Sequence, residues 1–213
     1  MSFRILTVCT GNICRSPLAE QLLRRELAGI EGVTVASAGT VALVGHGMTP
    51  EAQTISTRLG ATDASAHVAR LLTEQFIAES DLVLGLAREH RRAVVELVPA
   101  ATRHTFTLRE FGRLAASVTD ADLDASVSPF AGPVEAGLSS AARIASNLKI
   151  AVQAAASLRG VVEPLESPDD ADVIDPYGQP VAVYEESTAQ LVPALQATVS
   201  LLARAAQLTQ AHR

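Results

Sequence analysis

A cysteine and an arginine lie six residues apart in the segment CTGNICRS, residues 9–16. A thiolate is a strong nucleophile, and a guanidinium can bind two phosphate oxygens with parallel N–H groups. If the segment curls around a phosphate, its backbone amides and Arg15 surround the anion, and Cys9 lies beneath the phosphorus atom. The same positive field favours the thiolate form of a cysteine. The spacing therefore predicts a phosphatase with a cysteine nucleophile.

The residues on either side of this segment predict the elements that would position it. Phe3 to Val8 is short, apolar and β-rich, as a buried central strand is. Ser16 and Pro17 predict the start of a helix, with a capping residue followed by proline. Ligands of open α/β sheets bind at the carboxyl ends of strands, and helix N-termini attract anions. Two other phosphate-binding motifs are excluded, because Gly-Lys-Ser/Thr is absent and the loop has only one glycine.

Strand-like and helical stretches alternate along most of the remaining chain. This alternation favours an α/β fold, a three-layer structure with an open parallel four-stranded sheet and helices on both faces. The other predicted strands are Val33–Ser37, Asp81–Leu86 and His104–Leu108. A helix is predicted from Thr49 to near Gly60, and a short helix is predicted to start at Thr73. Three further predicted helices are Arg88–Val98, Val134–Leu158 and Tyr184–Leu208. Asp120–Pro133 is predicted to be a loop.

Length and composition exclude several classes of protein. The 213 residues are 48% hydrophobic with a mean hydropathy of +0.23, which fits one globular domain. A net charge of −6 gives no support to nucleic-acid binding. No apolar run spans a bilayer and no secretory signal is visible, so we expect a cytoplasmic protein without a membrane partner. Two cysteines form neither a disulfide framework nor a zinc site of four ligands.

The segment VCTGNICRSPLAE, residues 8–20, resembles the phosphate-binding loop of the low-molecular-weight protein tyrosine phosphatases. The resemblance covers about Arg4–Gly112 and Val173–Leu202. It implies one phosphatase-like domain over residues 1–213, with a helical insertion at about 113–167 before an Asp-Pro loop. Further matching segments are Ser37–Thr40, His67–Arg70, Leu71 with Thr73 and Glu74, Ser80–Val83 and Asp175–Tyr177.

The resemblance also implies roles for individual residues. Cys9 matches the nucleophile, Arg15 the phosphate-binding arginine and Asp175 the general acid. The reaction would pass through a phosphocysteine without metal or cofactor. The phosphate-binding loop would comprise Thr10, Gly11, Asn12, Ile13, Cys14 and Arg15. A supporting network would comprise Asn12, Ser16 and His67, and the walls of the substrate slot Tyr177 and Val41.

Several expectations concern the less conspicuous residues. Cys14 is either a buried small residue or a redox partner that traps an oxidised Cys9 as a disulfide. The acidic residues Asp169, Asp170 and Asp172 read as a solvated loop. Val41, Ala42 and Gly178 thin the slot walls relative to many family members. We treat the following residues as solvent-exposed: Glu20, Glu26, His46, His90, His104 and His212.

The expected partner is a phosphotyrosine protein or a small aryl phosphate, and the expected assembly is a monomer or weak homodimer. Two alternatives remain open. Arsenate reductases share this fold and a similar loop, but they relay oxidation through two downstream cysteines. No cysteine follows Cys14, so an arsenate reductase of this sequence would need an external small-molecule thiol. The other alternative is a non-catalytic phosphate-binding module.

Overall fold

A computed structural model of the chain describes residues 2–127, 139–163 and 165–208. Four parallel strands form one sheet in the order β2-β1-β3-β4. The strands are β1 (Phe3–Cys9), β2 (Val33–Gly39), β3 (Leu82–Gly85) and β4 (Thr105–Thr107). The prediction of an open parallel four-stranded sheet is confirmed, and β1 is a central strand with a neighbour on each side.

Eight helices surround the sheet in the described part of the chain. They are α1 (Arg15–Glu26), α2 (Pro50–Arg58), α3 (Glu74–Ala78), α4 (Arg88–Leu97), α5 (Leu108–Ser117), α6 (Asp120–Val127), α7 (Ser140–Ser157) and α8 (Val181–Gln207). The N-caps predicted at Thr49 and Thr73 are confirmed, because each hydroxyl accepts a hydrogen bond from the first turn of its helix.

The alternation of side chains along β1 produces the three layers. Phe3 and Ile5 point to the face covered by α1, α2, α5, α7 and α8. Leu6 and Val8 point to the opposite face, where they pack with Ile77 of α3 and with α4. Because both faces of the strand are covered, apolar side chains occur on both sides of it, as in other parallel sheets.

Helices α6 and α7 lie within the segment that the sequence analysis treats as an insertion. The expectation of a loop from Asp120 is wrong for residues 120–127, and the remainder of that range lies outside the described residues. Thr119 and Asp122 bond reciprocally through side chain and backbone, so the acidic segment that reads as a loop begins with a capping box.

Helix α7 packs into the same core as the sheet. Leu148, Val152 and Ala155 are buried there, and Asn147 Nδ2 donates to the carbonyl of Ala205 in α8 at 3.4 Å. The first five residues of the helical run predicted over Val134–Leu158 lie outside the described residues. The assignment of 113–167 as an insertion in a single domain stays a prediction.

Two helix boundaries bear on the site. Helix α1 begins at Arg15, one residue before the predicted cap, and Ser16 lies inside the helix with its hydroxyl turned to other partners. Helix α8 begins at Val181, soon after the Asp-Pro loop. In the part of the chain that the structure covers, no helix has the length and apolarity needed to cross a membrane.

Candidate active site

The site lies where the chain leaves β1 and β3 at the carboxyl edge of the sheet. The chain turns from β1 towards β2 on one side, while β3 lies on the other side. A crevice therefore opens between the loop that follows β1 and the loop that follows β3. A cavity of about 200 Å³ occupies it. Its lining residues are Cys9, Thr10, Gly11, Ile13, Cys14, Arg15, Val41, Leu43, Asp175 and Tyr177.

Asn12 shapes the phosphate-binding loop with a left-handed backbone, at φ +56°. Its amide N–H points to Cys9 Sγ at 3.3 Å. Its carbonyl lies 2.7 Å from His67 Nε2, and its side-chain Oδ1 accepts from the amide of Arg70 at 2.9 Å. The segment that follows α2 therefore holds the loop from outside, with His67 and Arg70 both in contact with Asn12.

A chain of side-chain hydrogen bonds connects the loop to Cys9 and fixes its own direction. Asn12 Nδ2 has two protons and no lone pair to offer, and it donates to Ser16 Oγ at 2.9 Å and Ser37 Oγ at 2.8 Å. Ser37 Oγ donates to Glu20 Oε2 at 2.5 Å. Ser16 Oγ accepts from Asn12 and directs its own proton to Cys9 Sγ at 3.0 Å, the nearer of its two acceptors, since the Ala38 carbonyl lies at 3.4 Å.

Glu20 terminates this chain, and the prediction that it is solvent-exposed is wrong. It is only 5% exposed, and its carboxylate also pairs with Arg24 and lies 4.0 Å from His67 Nδ1. An ionised carboxylate only accepts hydrogen bonds, so it orients the Ser37 hydroxyl. Glu26, six residues on in the same helix, is exposed as predicted.

Arg15 is 4% exposed and lines the cavity. Its Nη1 donates to the carbonyl of Val173 at 3.0 Å, and its Nη2 pairs with Asp175 Oδ2 at 2.8 Å. Its buried Nε has no hydrogen-bond partner within the described residues. The guanidinium therefore connects the phosphate-binding loop to the loop that carries Asp175.

The Asp-Pro loop is held at its start and turns sharply after Asp175. The amide of Val173 donates to the carbonyl of Leu86 at 2.8 Å, directly after β3. Asp175 Oδ1 accepts from the amide of Tyr177 at 3.2 Å. Gly178 has φ +72° in the turn that joins the Pro176 carbonyl to the amide of Gln179. Glycine at position 178 supplies the backbone freedom that this left-handed turn needs.

Two sides of the slot are apolar and stand out into solvent. Val41 is 70% exposed on one side and Tyr177 is 57% exposed on the other, with both side chains lining the cavity. The amides of Val41 and Leu43 donate to the carbonyls of Thr10 and Gly11 at 3.0 Å, which ties this wall to the phosphate-binding loop.

Cys14 lines the same cavity but its thiol faces another way. Its Sγ lies 3.6 Å from Thr49 Oγ1 and 3.8 Å from the hydroxyl of Tyr184. Burial raises the pKa of the Cys14 thiol to about 11, with the nearby Cys9 and Asp175 adding to the increase. The residue is therefore a protonated thiol near neutral pH.

His90 is a further residue that the sequence analysis missed. It was expected to be exposed, but it is 1% exposed and its Nε2 lies 2.9 Å from Thr10 Oγ1. The sequence signal that could have indicated this placement is the position of His90 just after β3, because ligands of open α/β sheets bind at the carboxyl ends of strands. His46 is exposed, His104 is half-buried away from the site, and His212 lies outside the described residues.

The acidic residues before the Asp-Pro loop serve as anchors. Asp172 accepts from the Arg88 amide at 2.7 Å and pairs with its guanidinium, which also contacts Asp169. No group of three or more histidine, cysteine or acidic side chains in the described ranges is arranged to hold a metal ion.

The sequence matches the family model of low molecular weight phosphotyrosine protein phosphatases over residues 4–130. The chain belongs to this family. Its members are cysteine-dependent phosphatases. The match includes the whole phosphate-binding loop and stops before the Asp-Pro loop.

Named relatives include phosphatases of two substrate types. A protein-arginine-phosphatase of Geobacillus stearothermophilus is 38% identical over 135 residues, which are 63% of this chain and 84% of the relative. A low molecular weight protein-tyrosine-phosphatase of Acinetobacter johnsonii is 36% identical over 109 residues, 51% of this chain and 74% of the relative.

Solved structures agree with the fold. The low molecular weight protein tyrosine phosphatase of T. tengcongensis superposes with a TM-score of 0.62 at 26% identity, covering 93% of this chain and 99% of that one. These relatives are phosphatases, which does not favour the arsenate reductase alternative.

We expect the direction of the hydrogen-bond chain to matter for turnover of p-nitrophenyl phosphate. Ser16→Ala removes the proton that faces Cys9 and should lower kcat about 10- to 100-fold, as loss of a hydrogen bond to a charged group does. Glu20→Gln should lower kcat by a smaller factor, about two- to tenfold, because an amide can also donate and no longer fixes the Ser37 hydroxyl.

Glu26→Gln is the matched control, since it makes the same change at an exposed position of the same helix. It should leave kcat unchanged. Steady-state kinetics would contradict the argument if Glu20→Gln and Glu26→Gln behaved alike while both proteins kept their wild-type melting temperature.

Proposed function

We propose that this protein hydrolyses phosphotyrosine in proteins through a phosphocysteine, without metal or cofactor. The observation that carries the proposal is the convergence of Cys9, Arg15 and Asp175 on one cavity of about 200 Å³. A nucleophile, a phosphate-binding cation and a proton donor are the three groups that hydrolysis of a phosphomonoester needs.

In the first step, Cys9 Sγ attacks phosphorus as the S–P bond forms and the P–O bond to the phenol breaks. Arg15 and the loop amides hold the three other phosphoryl oxygens, where negative charge is concentrated. Asp175 gives its proton to the departing phenolate oxygen. Its half-exposed carboxyl group lines the same cavity as Cys9, which supports this role.

In the second step, a water molecule attacks the phosphocysteine while Asp175, now a carboxylate, takes its proton. The P–O bond forms, the S–P bond breaks, and inorganic phosphate leaves with the thiolate restored. The Ser16 hydroxyl, which faces Cys9 Sγ at 3.0 Å, stabilises the negative sulfur in both steps.

The slot favours an aryl group over a phosphorylated guanidinium. Ile13, Val41, Leu43 and the ring of Tyr177 provide apolar contact for a phenyl ring. A guanidinium brings several N–H groups, and each would need an acceptor once it left water. Among the lining side chains only those of Thr10, Asp175 and Tyr177 have oxygen atoms that could accept these hydrogen bonds.

The proposal includes the wider setting expected from the sequence. Residues 1–213 form one phosphatase domain with an insertion at about 113–167. A cytoplasmic location would keep Cys9 reduced and available as a nucleophile. The partner is a phosphotyrosine protein, or a small aryl phosphate, and the assembly is a monomer or weak homodimer.

The chemistry predicts different outcomes for the two key residues. Cys9→Ser should abolish turnover, and EDTA should leave the wild-type rate unchanged. Asp175→Asn should lower kcat/KM, which reports the first step, about 100-fold or more for phenyl phosphate, whose leaving group needs a proton. The loss should be smaller for p-nitrophenyl phosphate, whose phenolate leaves more readily.

Asp124→Asn, an exposed carboxyl in α6, is the control for the aspartate change and should match the wild type. Loss of wild-type activity in EDTA, or an equal loss of kcat/KM for both substrates in Asp175→Asn, would overturn this mechanism.

Substrate class is tested with two peptides of the same sequence, one carrying phosphotyrosine and the other phosphoarginine. The apolar slot predicts a kcat/KM at least tenfold higher for phosphotyrosine, measured as phosphate release, because the ring is buried without unpaired N–H groups. Faster hydrolysis of the phosphoarginine peptide would assign the site to the activity of the Geobacillus relative.

We further propose that Cys14 is the redox partner of Cys9. Peroxide would convert the Cys9 thiolate to a sulfenic acid. Attack by the Cys14 thiolate would then form the S–S bond as the S–O bond breaks and hydroxide leaves. The raised pKa of Cys14 makes its thiolate scarce at neutral pH, so this step is slow there. The reading of Cys14 as a small packing residue is the alternative.

This route predicts that the protection by Cys14 increases with pH. Below a pKa of about 11, the thiolate fraction increases about tenfold per pH unit, so disulfide formation should compete better with overoxidation at pH 9 than at pH 7. After peroxide treatment, the activity recovered with dithiothreitol should increase with pH in the wild type but not in Cys14→Ala. Equal recovery in both proteins at every pH would leave Cys14 a packing residue.

A further inference from the structure

We propose that His90 is a positioning residue that acts through Thr10, by donating from Nε2 to the Thr10 hydroxyl and so directing that hydroxyl's proton to a phosphoryl oxygen. The inference rests on the proposed function, since it assigns a further hydrogen-bond donor to the same phosphate site. It concerns a histidine outside the Asn12–Ser16–His67 network.

The placement of His90 depends on the topology of the sheet. Helix α4 follows β3, and the chain just before it donates from the Leu86 amide to the Val8 carbonyl at 2.8 Å. This contact brings the first turn of α4 beneath the end of β1. The imidazole is buried there, with Nε2 2.9 Å from Thr10 Oγ1, and Thr10 lines the catalytic cavity.

The surroundings of the ring decide which nitrogen carries the proton. The buried Nδ1 has no hydrogen-bond partner within the described residues, whereas Nε2 faces Thr10 Oγ1 and lies 3.4 Å from Glu89 Oε1. A proton on Nδ1 would leave a buried N–H unpaired and a lone pair directed at a carboxylate. A proton on Nε2 leaves only an unpaired lone pair, so the ring donates from Nε2.

The imidazole is also neutral. Burial, followed by the charge of Arg15, lowers the pKa of His90 to about 3, and Asp172 opposes this only in part. Glu89, the acidic neighbour on its own helix, is exposed to solvent. The N–H donor is therefore present without a positive charge across the pH range in which the phosphatase would work.

The hydrogen bond from His90 determines what the Thr10 hydroxyl can do. Its oxygen accepts from Nε2, and within the described residues it has no other hydrogen bond, so its proton is available for a ligand. Thr10 directly follows Cys9, and both residues line the same cavity. A phosphoryl oxygen there would accept the hydroxyl proton. The hydrogen bond from His90 prevents the hydroxyl from rotating to a position in which its lone pairs, and not its proton, face that oxygen.

A double-mutant cycle separates this action from simple packing. Thr10→Val removes the hydroxyl, and His90→Phe removes the donor while keeping a ring. Each should raise the Kd of inorganic phosphate, measured by calorimetry, and the KM for p-nitrophenyl phosphate by about tenfold, as loss of one hydrogen bond to a charged group does. The double variant should be no worse than either single one.

Rescue and pH dependence give two further readouts. His90→Gln places an amide N–H near the position of Nε2 and should restore phosphate binding to within about twofold of the wild type. The acidic limb of the kcat/KM profile should not move in any variant, because His90 stays neutral. Should His90→Phe fail to fold, His90→Asn, whose amide is too short to reach Thr10, replaces it.

His104→Gln is the control, since this half-buried histidine precedes β4 at the opposite edge of the sheet, and it should leave both constants unchanged. The inference is overturned if His90→Phe weakens phosphate binding by the same factor with and without the Thr10 hydroxyl, or if Thr10→Val binds phosphate as the wild type does.

Phosphate binding needs no turnover. A wild type that binds phosphate but hydrolyses nothing would therefore refute the proposed function, while the cycle would still decide the role of His90.

Discussion

The phosphate-binding loop depends on the left-handed backbone at Asn12. Among the described residues no other non-glycine has a positive φ, and for an L-residue this conformation costs about 1–2 kcal/mol. Hydrogen bonds from β2 and from the segment at 67–70 offset the cost, because Ser37, His67 and the Arg70 amide all engage Asn12. Without this conformation the Asn12 amide would not face Cys9 Sγ, so a loop close to β1 in sequence is stabilised by parts of the chain distant from it.

Local sequence signals correctly predicted the elements whose structure depends on neighbouring residues. The apolar run of β1, the caps at Thr49 and Thr73, and the loop between β1 and α1 are confirmed, since each is determined by residues adjacent in the chain. Glu20 and His90 were predicted wrongly for the same reason. A polar side chain on a helix is buried only when a distant partner satisfies it, and the Ser37 hydroxyl and the Thr10 hydroxyl are 17 and 80 residues away.

Ser16 shows how the demands of the site override a local preference. A serine followed by proline is a typical helix start, yet α1 begins one residue earlier and the Ser16 hydroxyl caps nothing. The Ser16 hydroxyl accepts from Asn12 with one lone pair and directs its proton to Cys9 Sγ. A Ser16 hydroxyl that capped the helix would break the hydrogen-bond chain from Glu20. The capping box at Thr119 and Asp122 is the converse case, in which local hydrogen bonds make a helix from an acidic segment that reads as a loop.

The ion pair between Arg15 and Asp175 connects phosphate binding to the placement of the proton donor. Its carboxylate is 52% exposed, and ion pairs open to solvent contribute only about 0–1 kcal/mol. A hydrogen bond between a buried guanidinium and a phosphate oxygen contributes about 1.5–3 kcal/mol, so we expect an arriving phosphate to displace the carboxylate from Nη2. Nη1 remains bonded to the Val173 carbonyl, which anchors the start of the Asp-Pro loop. In the proposed mechanism Asp175 would then move only a short way and stay beside the phosphate, where it would protonate the leaving-group oxygen.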